Sequence, residues 1–249
     1  MDLSGKVALV SGATGGLGTV IARALAAEGV HVALTYFSHR EEGVALCRDI
    51  ETRGTKAVLV HLDQNDPASC EHAAEAAVTA LGRLDVLINN AAVNQPVPFQ
   101  GIDALTPEIW DGMINTNLRG PFLLARAAAR HLKQHGQGRI VNIAGFAGLV
   151  PMGSSIALAV SKAGLIHLTR CLAVALAPSI SINCVAPGLM EGTQMTARLR
   201  PEAIAALQEK AVLKRTTSLE DVARQVVLFC RADSVTGQTL VMDGGIAFH

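Results

Sequence analysis

Short runs of consecutive apolar residues alternate along this chain with longer segments whose apolar positions recur at helical spacing. Residues 7–10, 30–36, 56–62 and 84–89 read as strands; apolar runs of that length are typical of strands covered on both faces. Between them, 17–28 ends at Gly29, 41–53 ends at Gly54, and the alanine-rich 68–81 completes a set of three helices. Two more rounds follow: a long helix over 107–134 before a strand at 139–144, then a helix over 156–177 before a strand at 179–185. Repeated strand–helix alternation predicts an α/β, Rossmann-type doubly wound parallel sheet with helices on both faces. No repeat, low-complexity tract or linker interrupts it, so residues 1–249 are expected to form one domain. The irregular stretches 91–105 and 187–200 follow strand ends on the side where such sheets bind ligands, which marks them as substrate loops.

The first strand runs into Ser11-Gly12-Ala13-Thr14-Gly15-Gly16-Leu17-Gly18 and then into a helix. Strand, glycine turn and helix in that order form a phosphate cradle, because the backbone comes close to a pyrophosphate and the first helical N–H groups face its charge. Composition narrows the partners. Lys and Arg number 21, as do Asp and Glu, so there is no net field to attract nucleic acid or an anionic membrane. Without a signal peptide or an apolar run near the roughly 18 residues of a membrane span, the expectation is a cytoplasmic protein with a small-molecule substrate. The five cysteines are scattered without CxxC or His/Cys clustering, so no metal site is expected and they read as reduced core residues.

The spacing Gly12, Gly16, Gly18 after Ser11 resembles the TGxxxGxG motif of the short-chain dehydrogenase/reductase family, with ketoacyl reductases as the nearest type. Other motifs match along the whole chain: Asn89-Asn90-Ala91-Ala92 resembles NNAG, Asn115-Thr116-Asn117-Leu118 the following helix, and Val160-Ser161-Lys162-Ala163-Gly164 the lysine of YxxxK. Pro187-Gly188 matches the turn beside the nicotinamide, and Val241-Met242-Asp243-Gly244-Gly245 the closing strand. The resemblance implies a dinucleotide cofactor held by Ser11, Gly12, Thr14, Gly16, Leu17 and Gly18 at the phosphates. Asp63 and Gln64 would hold the adenine, and Asn90, Ala91, Lys162, Pro187 and Gly188 the nicotinamide half. Tyr36 stands where NAD-specific members carry Asp, and Ser38, His39 and Arg40 are candidate donors to a 2′-phosphate, so NADP(H) is expected over NAD(H). A cap for the helix after Pro67 is the other reading of Asp63.

The catalytic segment departs from the family. Lys162 fixes the register and Asn117 is retained, but the positions of the catalytic tyrosine and serine hold Leu158 and Gly145. In the family the phenol protonates the carbonyl oxygen and the serine hydrogen-bonds it. General acid catalysis contributes about 10²–10⁴-fold and one oxyanion donor about 10²–10³-fold. Stand-ins are Ser154 and Ser155, each also an N-cap candidate, Lys162 acting through water, Glu191 and Thr193 on the second loop, and Asn94 and Gln95 on the first. A serine at 145 is expected to strain against a backbone suited to glycine. The expected function is an NADP-dependent oxidoreductase acting on a carbonyl or hydroxyl group through an atypical site. The alternatives are a non-redox enzyme catalysing a cyclisation, isomerisation or elimination, and a silent cofactor-binding or assembly subunit. Apolar helices such as Phe122-Leu123-Leu124-Ala125 predict a homodimer or homotetramer.

Overall fold

Seven parallel strands form one sheet, and a computed structural model describes residues 1–193, 196–197 and 199–248 of it and its surroundings. Gln194, Met195 and Arg198 of the second expected substrate loop, and His249, lie outside the described residues. In chain order the strands are β1 (Val7–Val10), β2 (His31–Tyr36), β3 (Ala57–His61), β4 (Val86–Asn89), β5 (Gly138–Ile143), β6 (Ile180–Pro187) and β7 (Thr239–Met242). Their order across the sheet is β3-β2-β1-β4-β5-β6-β7. The connection sense reverses between β1 and β4, and such a switch point opens a crevice at the carboxyl ends of the strands.

The central strands are buried on both faces because alternate side chains enter different cores. Ala8 and Val10 of β1, with Val86 and Ile88 of β4, pack with α1 (Gly16–Ala27), α2 (Arg40–Glu51) and α8 (Leu219–Arg231). Val7, Leu9 and Leu87 point the other way, toward α3 (Pro67–Leu81), α5 (Gly120–Leu132) and α6 (Ile156–Leu176). The two-residue period of a strand puts neighbours on opposite faces, so an unbroken apolar run is what this sheet requires.

The expected helix over 107–134 is divided. It consists of α4 (Pro107–Ile114), a π-helical turn (Asn115–Arg119), α5 and a 3₁₀ turn over Lys133–His135. Pro121 supplies no N–H to the carbonyl of Asn117, and the Asn117 side chain is bound outside the helix, which together favour a wider turn there. A helix that pattern reading missed, α7 (Pro201–Lys210), follows the second substrate loop; it buries no residue, so it carries no apolar stripe to read. Contrary to expectation, α6 has the length and mean hydropathy of a membrane span. Its buried face carries Ser161, Lys162 and Thr169 and lies on the sheet, as a core helix does.

Candidate active site

Ser11, at the end of β1, fastens the switch point. Its Oγ accepts the backbone N–H groups of Asn90 and Ala91 at 2.9 and 3.0 Å, while the Asn90 side-chain amide donates to the carbonyls of Ser11 and Gly12 at 3.0 and 3.1 Å. The strand ends are thereby held as a unit with Ser11 fully buried beneath the surface. Gly12 has a φ of +61°, and a Cβ there would lie 2.8 Å from Ala91 Cα. At Gly18 a Cβ would stand 2.2 Å from the Gly12 carbonyl oxygen, so no side chain fits without opening the turn.

Above this turn lies a cleft of about 340 Å³. Gly12, Thr14, Gly16, Leu17 and Gly18 line its floor; Tyr36, Phe37, Ser38 and His39 line one end, with Asp63 and Gln64 beside them. The other end is formed by Asn90, Ala91, Val93, Ile143, Ala144 and Lys162, and Met190 and Thr193 close over it. Most of the residues expected to hold a dinucleotide therefore share one cleft. Arg40 lies outside the lining as the exposed first residue of α2, and Pro187 and Gly188 are also outside it, Gly188 donating its N–H to Met242 O at 2.9 Å. The helix after Pro67 is capped by Asp66, whose side chain accepts from Ala68 and Ser69; Asp63 instead accepts the N–H of Asn65 at 2.9 Å. Cleft residues that sequence reading had not singled out include Thr116, Asn65 and Met190; Met190 was signalled only by its place just after Pro187-Gly188.

At the chemical end, Lys162 is 6% exposed and its Nζ donates to the Ile143 carbonyl at 3.0 Å. It has no carboxylate partner among the described residues, and burial pushes its pKa down to about 8. Asn117 sits beneath the cleft, 1% exposed. Its Oδ1 accepts from Val93 N–H at 2.8 Å and its Nδ2 donates to Val93 O at 2.9 Å and Ser161 Oγ at 3.3 Å. The π-helical turn thus braces the first substrate loop.

Leu158 lies one turn before Lys162 on α6 and is 8% exposed, clustered with Met113 and Ala157. Gly145 has φ 169° and ψ 155°, extended backbone that any residue adopts. A Cβ there would meet nothing nearer than Pro187 O at 3.7 Å, so the expected strain of a serine is absent. Of the hydroxyl stand-ins, Ser155 is fully buried as the N-cap of α6, accepting the Leu158 N–H at 3.1 Å. Ser154 donates to Asn94 Oδ1 at 2.6 Å, joining the first substrate loop to the start of α6. Glu191 turns away from the cleft and accepts from Thr216 Oγ1 at 2.8 Å, while Thr193 lines the cleft. Gln95 is exposed.

Residues 12–247 match the family model described as enoyl-(acyl carrier protein) reductase. The chain belongs to the short-chain dehydrogenase/reductase family. A Streptomyces violaceoruber protein named as ketoacyl reductase 2 of the granaticin polyketide synthase is 38% identical over 241 residues, spanning 96% of this chain and 95% of its own. The 3-oxoacyl-[acyl-carrier-protein] reductase of Aquifex aeolicus is 35% identical and covered to 99% on both sides. Among solved structures, a short-chain dehydrogenase from Burkholderia cenocepacia in complex with NADP superposes with a TM-score of 0.91 at 34% identity, over 99% of each chain. As a short-chain dehydrogenase/reductase the protein is an oxidoreductase by type, and its seven-stranded parallel sheet is the family's.

Proposed function

We propose that the protein is an NADP(H)-dependent oxidoreductase of carbonyl or hydroxyl compounds in which the Lys162 ammonium takes over the acid role of the absent phenol. The residues fit the cofactor. Gly12 and Gly18 form a cradle that a Cβ would fill, and Gln64 lines the cleft with its Oε1 buried and unpartnered among the described residues. Gly12 to Gly18 would take the pyrophosphate, Asp63 and Gln64 the adenine, and Ser38 with Arg40 the 2′-phosphate; the bound NADP complex of the Burkholderia relative supports the choice of phosphate form. When bound, the cofactor supplies hydride at its nicotinamide.

The chain's own groups must then deliver a proton to the substrate oxygen. The observation that carries the reading is Lys162, buried at the chemical end of the cleft with one backbone acceptor and a pKa lowered to about 8 by burial. An acid is most effective when its pKa lies near the working pH. Leu158 leaves no hydroxyl between Lys162 and the substrate side, so water relays the proton. Hydride transfer is tested by NADPH oxidation against small ketones and β-ketoesters across pH, in the wild type and Lys162→Met. The proposal requires turnover that declines as pH rises through about 8, where the ammonium is lost. Cofactor binding with no turnover of any carbonyl refutes it and favours the non-redox or silent readings.

A further inference from the structure

The geometry points to Gln64 as a positioning residue that couples filling of the adenosine end of the cleft to the turn carrying Asn117. This rests on the cofactor reading above, which sets Gln64 beside the adenine, and gives its side-chain amide a second task. Gln64 is 5% exposed, and its Nε2 reaches two carbonyls from different parts of the chain: Thr116 O in the π-helical turn at 2.6 Å, and Ala91 O at the end of β4 at 3.2 Å. The neighbouring residue adds a second arm. Asn65 Nδ2 donates to Thr116 Oγ1 at 3.1 Å, and Arg119 Nη1 donates to Asn65 O at 3.0 Å. Three polar links therefore tie the loop after β3 to a single five-residue turn.

That turn is where the helix departs from α geometry, and its middle residue is Asn117, which holds both backbone groups of Val93. A wide turn has a weaker internal ladder than the helices beside it, so its shape depends on outside partners. Gly120 completes the fit: a Cβ there would press on Gln64 Cγ at 2.9 Å and its backbone O at 3.1 Å. The glycine leaves room for the glutamine. Asp63 and Gln64 line the cleft on one side of this clamp and Val93 lines it on the other. A ligand ordering residues 63–65 would thereby order the Asn117 turn, about as two hydrogen bonds order any short segment.

The test uses adenosine 2′,5′-bisphosphate, the adenosine half of NADP, which cannot reach the nicotinamide end. Calorimetry reads its binding and amide hydrogen exchange reads residues 115–119. In the wild type, saturation is expected to slow exchange there by on the order of tenfold, the shift that one or two ordinary hydrogen bonds produce in a local opening equilibrium. Gly120→Ala, which crowds Gln64 Cγ without altering a cleft residue, is expected to abolish that slowing while the fragment still binds. Gln64→Met, of similar length and unable to donate, is expected to bind the fragment more weakly through loss of its adenine contact and, once saturated, to show no slowing either; it serves if Gly120→Ala fails to fold. Equal ligand-induced slowing in wild type and variants means that Gln64 is a packing residue and overturns the proposal, as does bound fragment with no slowing in the wild type. Failure of the fragment to bind the wild type overturns the cofactor reading itself, and the coupling with it.

Discussion

Restoring the two missing groups, Gly145→Ser with Leu158→Tyr, should raise carbonyl reduction by about 10²–10⁴-fold over the wild type. The range is that of one well-placed general acid, here a phenol directly on the substrate oxygen in place of an ammonium acting through water; the serine's own donation to that oxygen adds to it. In barrier terms this is about 3–5 kcal/mol. Both side chains act on a single atom, so the double variant should exceed the product of the singles. The folding costs differ between the two. At 145 the backbone is extended and a new Cβ is 3.7 Å from its nearest neighbour, so serine is close to neutral. At 158 the side chain is nearly enclosed beside Met113 and Ala157, and the larger ring should cost about 1–3 kcal/mol. The assay is NADPH oxidation with a β-ketoester, in wild type, both singles and the double, with NADPH affinity and melting temperature measured in each. A double variant that folds and binds NADPH, yet turns over no faster than wild type, would refute the assignment of 145 and 158 as the working positions.

Lys162 links the site to stability. Its folded pKa is depressed from 10.5 to about 8, so the unfolded chain binds more protons between those values and stability should rise with pH across that window. Below about pH 8 both states are protonated and the burial cost, on the order of 3 kcal/mol, is fully expressed. Urea unfolding of Lys162→Met should therefore show the variant more stable than wild type at pH 7, with the gap narrowing toward pH 10.5; a gap independent of pH contradicts this. NADPH should bind more tightly than NADH by calorimetry, and Arg40→Ala should weaken NADPH alone by about 1–3 kcal/mol; equal affinities would remove the 2′-phosphate argument. Light scattering should find a homodimer or homotetramer, since Phe122 and Val174 on α5 and α6 are 41% and 83% exposed, as is Phe248 at 81%; a monomer at micromolar concentration is the contrary result.

The alternation of apolar runs and helical segments sufficed for the sheet and its cleft, because strands buried on both faces and amphipathic helices leave strong periodic signals. What escaped was whatever lacks a period. Helix α7 buries nothing, and the π-helical turn at Asn115–Arg119 is held by partners distant in sequence, Val93 at Asn117 and Gln64 at Thr116. The phosphate cradle was legible because glycine spacing encodes close approach. Conversely, Gly145 looked like a conformational requirement and is not one, since a glycine in extended backbone has the same letter as a glycine at positive φ. The duties of Ser154 and Ser155 depended on which of them the helix took as its cap, a choice made by one residue of register.

The strand order also bears on how this chain is made. Of the seven strands β1 is made before the others and lies inside the sheet, where it needs β2 on one side and β4 on the other. β2 follows closely, but β4 begins at residue 86. At synthesis rates of about 5–20 residues per second, the second edge of β1 stays open for roughly 4–16 s. During that interval the nascent chain presents Val7-Ala8-Leu9-Val10 as an unpaired apolar edge. The risk of misassembly is therefore greatest early in translation, before the half of the protein that carries Lys162 exists.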